Sequence, residues 1–383
     1  MWRLPDAAAR RFPLVARPRP ACLPLHQRIQ ALTRLADVAA EQGDPSIAST
    51  VLNRAALIAS DIGDDTAAGA MCHQHAAAYL HATPLPADAA IRALEPLVNL
   101  ARLQLRAGRA DQGRQYLLTL FDAVARAAPT DIEGIAVPAD LVADTADRHT
   151  VRAWLWSVLL ADGTRALTTV GRWTEALAHV QTHHGIGRRM LDGRQTAVLA
   201  AATTGDRPAV LALLHDTEPG DPWEDAVTAA LTALCRPGDR RAAARAAGLW
   251  TVLEPGDGLA VFTTRLALTV LDATEPDTPA ARNLARTAII RTDESGDGYA
   301  LRDLLAHPAA RAVLAAERAE ARERALAACA LGSGTLPADS RERLDAAVGG
   351  AVRVLENALA APGERRPPAP RAPDPGIRQA LKR

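Results

Sequence analysis

The sequence predicts an all-α chain of stacked antiparallel helix hairpins, on three observations. Gly171, Gly205 and Gly238 recur at separations of 34 and 33 residues, each ending one amphipathic stretch and opening another. A period near 34 residues is the length of a helix–turn–helix unit that stacks on copies of itself. The text after each glycine also repeats: Gly171-Arg172-Trp173-Thr174-Glu175-Ala176, Gly205-Asp206-Arg207-Pro208-Ala209-Val210, Gly238-Asp239-Arg240-Arg241-Ala242-Ala243. Two earlier turns, at Gly43 and Gly108, lie 65 residues apart, and Gly171 follows 63 later, close to two periods each time. Third, hydrophobic residues make up 48% of the chain but aromatics only 3%, so Ala, Leu and Val must build the core. Alanine is the best helix former, which favours helices over any sheet. A globular chain of this length would be expected to divide into about two or three domains. A solenoid escapes that count, because each repeat packs only on its neighbours.

The elements follow in order. Residues 1–24 carry Arg3, Arg10, Arg11, Arg17 and Arg19 against Asp6 alone, with five prolines, and read as a flexible arm that an anionic partner would suit. Their one apolar run, Phe12-Pro13-Leu14-Val15-Ala16, is too short for a signal peptide. Leu25 to Gln42 is amphipathic, and Asp44-Pro45 restarts the chain as an N-cap with proline at the first helical position. Helices are expected to Gly63, over Thr66 to His81, Ala87 to Ala107 and Ala110 to Ala127, making 25–128 a set of N-terminal hairpins. Residues 129–148 lack a helical period and read as a loop or boundary.

The regular array is expected over 149–292: Thr150 to Val170, Trp173 to His183, Gly187 to Thr204, Pro208 to His215, Trp223 to Cys235, Arg240 to Leu253, Gly258 to Ala273 and Pro279 to Thr292. Asp221-Pro222-Trp223-Glu224 has the spacing of a capping box. Residues 293–361 add an acidic loop, helices broken near His307-Pro308, and a capping helix over Arg341 to Ala360. Six prolines without periodicity make 362–383 a disordered tail.

On these residues the chain resembles the tetratricopeptide-repeat family, or a similar α-solenoid. Five residues after each turn glycine stand Ala48, Gly113, Ala176, Val210 and Ala243, where that family places a small residue at the helix crossing. Pro222 and Pro255 fall seventeen after Gly205 and Gly238, where it closes a repeat with proline. At the corresponding positions after Gly43, Gly108 and Gly171 stand Ser60, Ala125 and Arg188, and the family's aromatic positions are mostly aliphatic here. The resemblance implies a right-handed superhelix whose first helices line a concave groove for a peptide or a partner's helix, as in scaffolds, co-chaperones and regulators.

Charge excludes a global field: 44 basic residues balance 44 acidic ones, so neither nucleic acid nor a membrane is an expected partner. Cys22, Cys72, Cys235 and Cys329 form no C-x-x-C pair and read as reduced helix-face thiols of a cytoplasmic protein. No stretch approaches the roughly 18–20 apolar residues that span a bilayer.

Candidate binding residues concentrate between 149 and 195: Trp154, Trp156, Trp173, His183, Arg188, Arg189, Arg194 and Gln195. Tryptophan gives contact area with few rotors, and arginine grips carboxylate or phosphate. Two readings stand, a recognition pocket or helix packing with solvated turns. His179 and His183 are spaced as a metal pair but have no third ligand in an H-E-x-x-H pattern. Gly185-Ile186-Gly187-Arg188-Arg189 lacks the phosphate-loop arrangement, although a helix start there would suit an anion or an acidic peptide. No catalytic residue, metal or cofactor is expected. The favoured function is a non-catalytic interaction protein binding a peptide or protein, an acidic segment among the candidates. The alternative is an enzyme or accessory of a peptide-modifying pathway with its site in 149–195.

Overall fold

The computed structural model describes residues 6–254 and 256–360, so Pro255 and the expected tail lie outside the described residues. Within them the chain is all-α apart from one antiparallel pair of short strands. No helix is long and apolar enough to cross a membrane, among the described residues. Two compact units form, and the chain alternates between them. An array unit combines residues 6–25 with Thr164–Ala330, and a second unit combines His26–Gly163 with residues 331–360. The boundary falls within the predicted helix Thr150 to Val170, which runs as Thr145–Val158, a π-helical turn Leu159–Gly163 and a short helix Thr164–Thr168.

In the second unit, helices Leu25–Gln42, Pro45–Ile62, Asp65–Leu80, Ala87–Arg106 and Ala110–Arg126 follow the predicted boundaries within a residue or so. Asp44 accepts from the Ser46 N–H at 2.7 Å, and Gly63 closes the helix with φ 91°. The helix crossing at Gly113 is tight. A Cβ at Gly113 would lie 2.6 Å from the Ala101 carbonyl oxygen. The expected loop at 129–148 contains the strands Thr130–Ile132 and Ile135–Val137. Glu133 and Gly134 turn between them with φ 52° and 83°, the positive pair that a two-residue hairpin needs. Ile132, Ile135 and Val137 bury one face. The helix Ala338–Ala360, expected to cap the array, instead packs on Pro45–Ile62 and Asp65–Leu80. The backbone donors of Gly332 and Gly334, bound to the carbonyls of Asp61 and Ile62, bring it there.

The array unit pairs Thr164–Thr168 with Trp173–Thr182, Asp192–Thr204 with Arg207–His215, Pro222–Leu234 with Arg240–Val252, and Ala260–Asp272 with Pro279–Ser295. Helices Gly298–Leu305, Pro308–Arg311 and Ala316–Ala328 follow. Gly171, Gly205 and Gly238 adopt φ of 76°, 80° and 83° with nothing near an added Cβ. They recur for the left-handed turn itself, which only glycine enters at no steric cost. Ala176, Val210 and Ala243, five residues after them, are buried. Both arms of the Asp221–Glu224 capping box are present. The acidic stretch at 293–298 is not a loop: the helix runs to Ser295, Gly296 ends it, and Asp297 caps the next.

The largest departure is at the N-terminus. The expected flexible arm is, over residues 6–24, packed into the array unit. Ala8, Ala9, Phe12 and Leu14 join its core, with Phe12 fully buried. Charge and proline density predicted solvation. The apolar run among them supplies the anchor that overrides it.

Candidate functional site

Beyond a short helix, Asp6–Ala9, the N-terminal segment has no regular structure to satisfy its backbone groups, so neighbours must. Gln195, in the first turn of Asp192–Thr204 and fully buried, does so at the centre. The Leu14 N–H donates to Gln195 Oε1 at 2.6 Å, and Gln195 Nε2 donates back to the Leu14 carbonyl at 2.7 Å. Nε2 also reaches the Met190 carbonyl at 2.9 Å, which fixes the amide's orientation. Upstream, Thr168 Oγ1 donates to the Phe12 carbonyl at 3.2 Å. Downstream, the Arg19 N–H donates to the Gly258 carbonyl at 3.1 Å, and the Gly298 N–H to the Cys22 carbonyl at 2.8 Å. Cys329 Sγ approaches that same carbonyl at 3.3 Å.

Side chains add charge to this backbone clasp. Arg17 forks onto Asp192, at 3.0 and 2.5 Å, and Arg11 reaches Asp272 at 2.5 Å. Burial alone would raise the Asp272 carboxyl, but a hydrogen bond from His307 and the Arg11 charge outweigh it and hold the group below its ordinary value. Arg19 lies over the Tyr299 ring, 4.1 Å from its centroid. Two glycines shape the wall. A Cβ on Gly258 would fall 2.8 Å from the Arg19 carbonyl oxygen, and one on Gly298 3.0 Å from that of Cys22. The arrangement holds the chain's own N-terminal segment through its backbone and sets two of its arginines against acidic side chains.

Comparison with protein families, with curated proteins and with solved structures finds no match for this chain.

The predicted site residues do not form one cluster. Trp154 and Trp156 lie half-buried on Thr145–Val158, in the second unit, and the other six belong to the array unit. There, Trp173 is in the core. His183 ends its helix half-buried, its ring edge-on to the buried His179 at 4.8 Å. No group of three His, Cys, Asp or Glu side chains could hold a metal ion, among the described residues. Arg188 is exposed and pairs with Glu218 at 3.0 Å. Arg189 binds the buried Glu224 and reaches Asp221 at 3.1 Å. Arg194 is buried and donates to the carbonyls of Leu213 and Gly187 and to Thr217. Gln195 alone of the eight bonds the backbone of the N-terminal segment.

Sequence reasoning passed over Thr168, Asp272, Gly258, Gly298 and Tyr299, and the segment they hold. Their individual types carry no motif. Only the recurrence of array-unit contacts along residues 11–22 identifies them. The thiols offer little nucleophilic chemistry: all four are buried, and burial pushes Cys72 and Cys235 up to about 12.

Proposed function

We propose that the chain is a non-catalytic interaction protein of tetratricopeptide-like, superhelical architecture, whose array unit receives an extended peptide or protein segment and serves a scaffolding or regulatory role. One observation carries this reading, the reciprocal pair of hydrogen bonds between Gln195 and the Leu14 backbone. An amide aimed at main chain rather than at a particular side chain is how a groove accepts different peptides in one register. The other contacts support a groove along successive hairpins. Thr168, Asp192, Gln195 and Asp272 lie on first helices, and Gly258 stands in the turn leading into one. The ten residue-to-residue steps from Phe12 to Cys22 span about 33 Å when extended. That is enough to cross about three helix spacings of 8–10 Å. Four buried cysteines outside any disulfide suit a reducing, cytoplasmic setting.

Selection of displayed unstructured peptides on the full chain, and on the same chain with Arg17→Ala, tests the reading. Recovered peptides should lose binding when Gln195 is changed to Ala. Peptides that never enrich on either chain, or that ignore the Gln195 change, refute it.

A further inference from the structure

We infer that residues 12–22 are an internal ligand of the array unit, and that the partner in trans is a second extended segment of the same chemistry: aromatic–Pro–aliphatic, with an arginine five residues after the aromatic. This rests on the peptide-groove reading and specifies its ligand and its control.

The segment has the anatomy of a bound peptide. Phe12, Pro13, Leu14 and Cys22 are buried anchors, while Arg17, Pro18 and Pro20 between them are exposed. A strand of the core would be covered throughout. Here the middle lies on the wall and keeps one side in water. Pro18 and Pro20 restrict the backbone before docking, which lowers the entropy lost when the segment binds.

Charge on the wall sets the partner's sign. Asp192 faces Arg17, Asp272, which His307 also meets at 3.0 Å, faces the flanking Arg11, and the Tyr299 ring, approached by Arg302 at 5.8 Å, takes Arg19. The arginines that would favour an acidic partner are engaged elsewhere: Arg188 with Glu218, Arg189 with Glu224 and Asp221, Arg194 with carbonyls. A carboxylate-rich peptide would meet two fixed acids, whereas an arginine at the Arg17 position makes the forked pair. Because the internal segment is covalently attached, its effective concentration is on the order of millimolar, and a partner at micromolar levels is excluded until the segment lifts.

The test uses the full chain and a fluorescent peptide of residues 9–24, read by anisotropy. Two variants loosen the segment independently and leave the wall intact: Arg17→Ala removes the ion pair with Asp192, and Arg19→Ala removes the cation over the Tyr299 ring. Both should bind the peptide at least about threefold more tightly than the unaltered chain, the scale of one half-exposed contact, and the same peptide with Arg17→Glu should lose at least as much. Amide exchange of the unaltered chain gives a second readout: the Leu14 and Arg19 amides should exchange well before those of Asp192–Thr204. Exchange of those two amides only with the whole unit makes the segment fixed core and overturns the inference, even if a variant misfolds. Equal peptide affinity for loosened and unaltered chains overturns it too, while display peptides that still depend on Gln195 leave the groove standing. A loosened chain that dimerises instead of binding the peptide assigns the groove to a second copy, and again the inference fails.

Discussion

Gln195 and His75 show how burial gives single side chains their consequences. Gln195 satisfies both backbone groups of Leu14, so truncation strands a buried donor and a buried acceptor. Each costs roughly 1–3 kcal/mol when unmade. Gln195→Ala should therefore lower the unfolding free energy of the array unit by about 2–4 kcal/mol in denaturant titration. Gln195→Glu should not restore it, because a carboxylate cannot donate to the Leu14 carbonyl. His75 is the opposite case: it is 1% exposed, and its Nε2 has no hydrogen-bond partner. Burial first, and the Arg92 charge second, push its pKa from 6.5 down to about 3. Between those two values the unfolded chain binds a proton that the folded chain refuses, so stability rises with pH across this window and falls in acid. His75→Leu should flatten the pH dependence of melting between pH 7 and 4, by an amount on the order of a few kcal/mol. A profile as steep as the unaltered chain's would show that His75 is not its source. Asp272 works in the same direction. Its depressed carboxyl contributes at neutral pH and loses that contribution as acid protonates it.

Helices here are specified by their ends and crossings, and two glycines separate those effects. Gly43 has φ of 60° and open space around a would-be Cβ. Gly43→Ala should cost about 1 kcal/mol through backbone strain alone. Gly113 is inside the helix Ala110–Arg126, where alanine would gain up to about 1 kcal/mol in propensity. Its Cβ, however, would meet the Ala101 carbonyl oxygen at 2.6 Å, and backbone moves far less readily than a side chain tip. Overpacking typically costs about 1–3 kcal/mol, so the clash wins. Gly113→Ala should lower the melting temperature despite the better helix former, and unchanged or raised melting would show that the two helices separate freely. The glycines of the period are thus of one kind, required by φ, and Gly113 is of another, required by closeness.

At the level of the whole chain, residues 6–25 belong with Thr164–Ala330 and residues 331–360 with His26–Gly163. Contacts between segments so far apart in sequence carry the N-terminal segment's place. Deleting residues 1–20 should speed amide exchange in Asp192–Thr204 and Ala260–Asp272 and leave Pro45–Ile62 and Ala110–Arg126 at their former rates. Equal loosening of all four would mean that the two units unfold together. The sequence by itself determined the helices, their caps and the hairpin turns, because spacing, Asp N-caps and left-handed glycines act within a few residues of the chain. It also singled out Gln195, though beside residues that the fold assigns to other tasks. Only tertiary structure decided that the proline-rich start docks, that Ala338–Ala360 returns to Pro45–Ile62, and that Asp192, Asp272 and Tyr299 face arginines. Those pairings are set by packing and charge between distant segments, and no local pattern of residues encodes which distant surface a short apolar run will find.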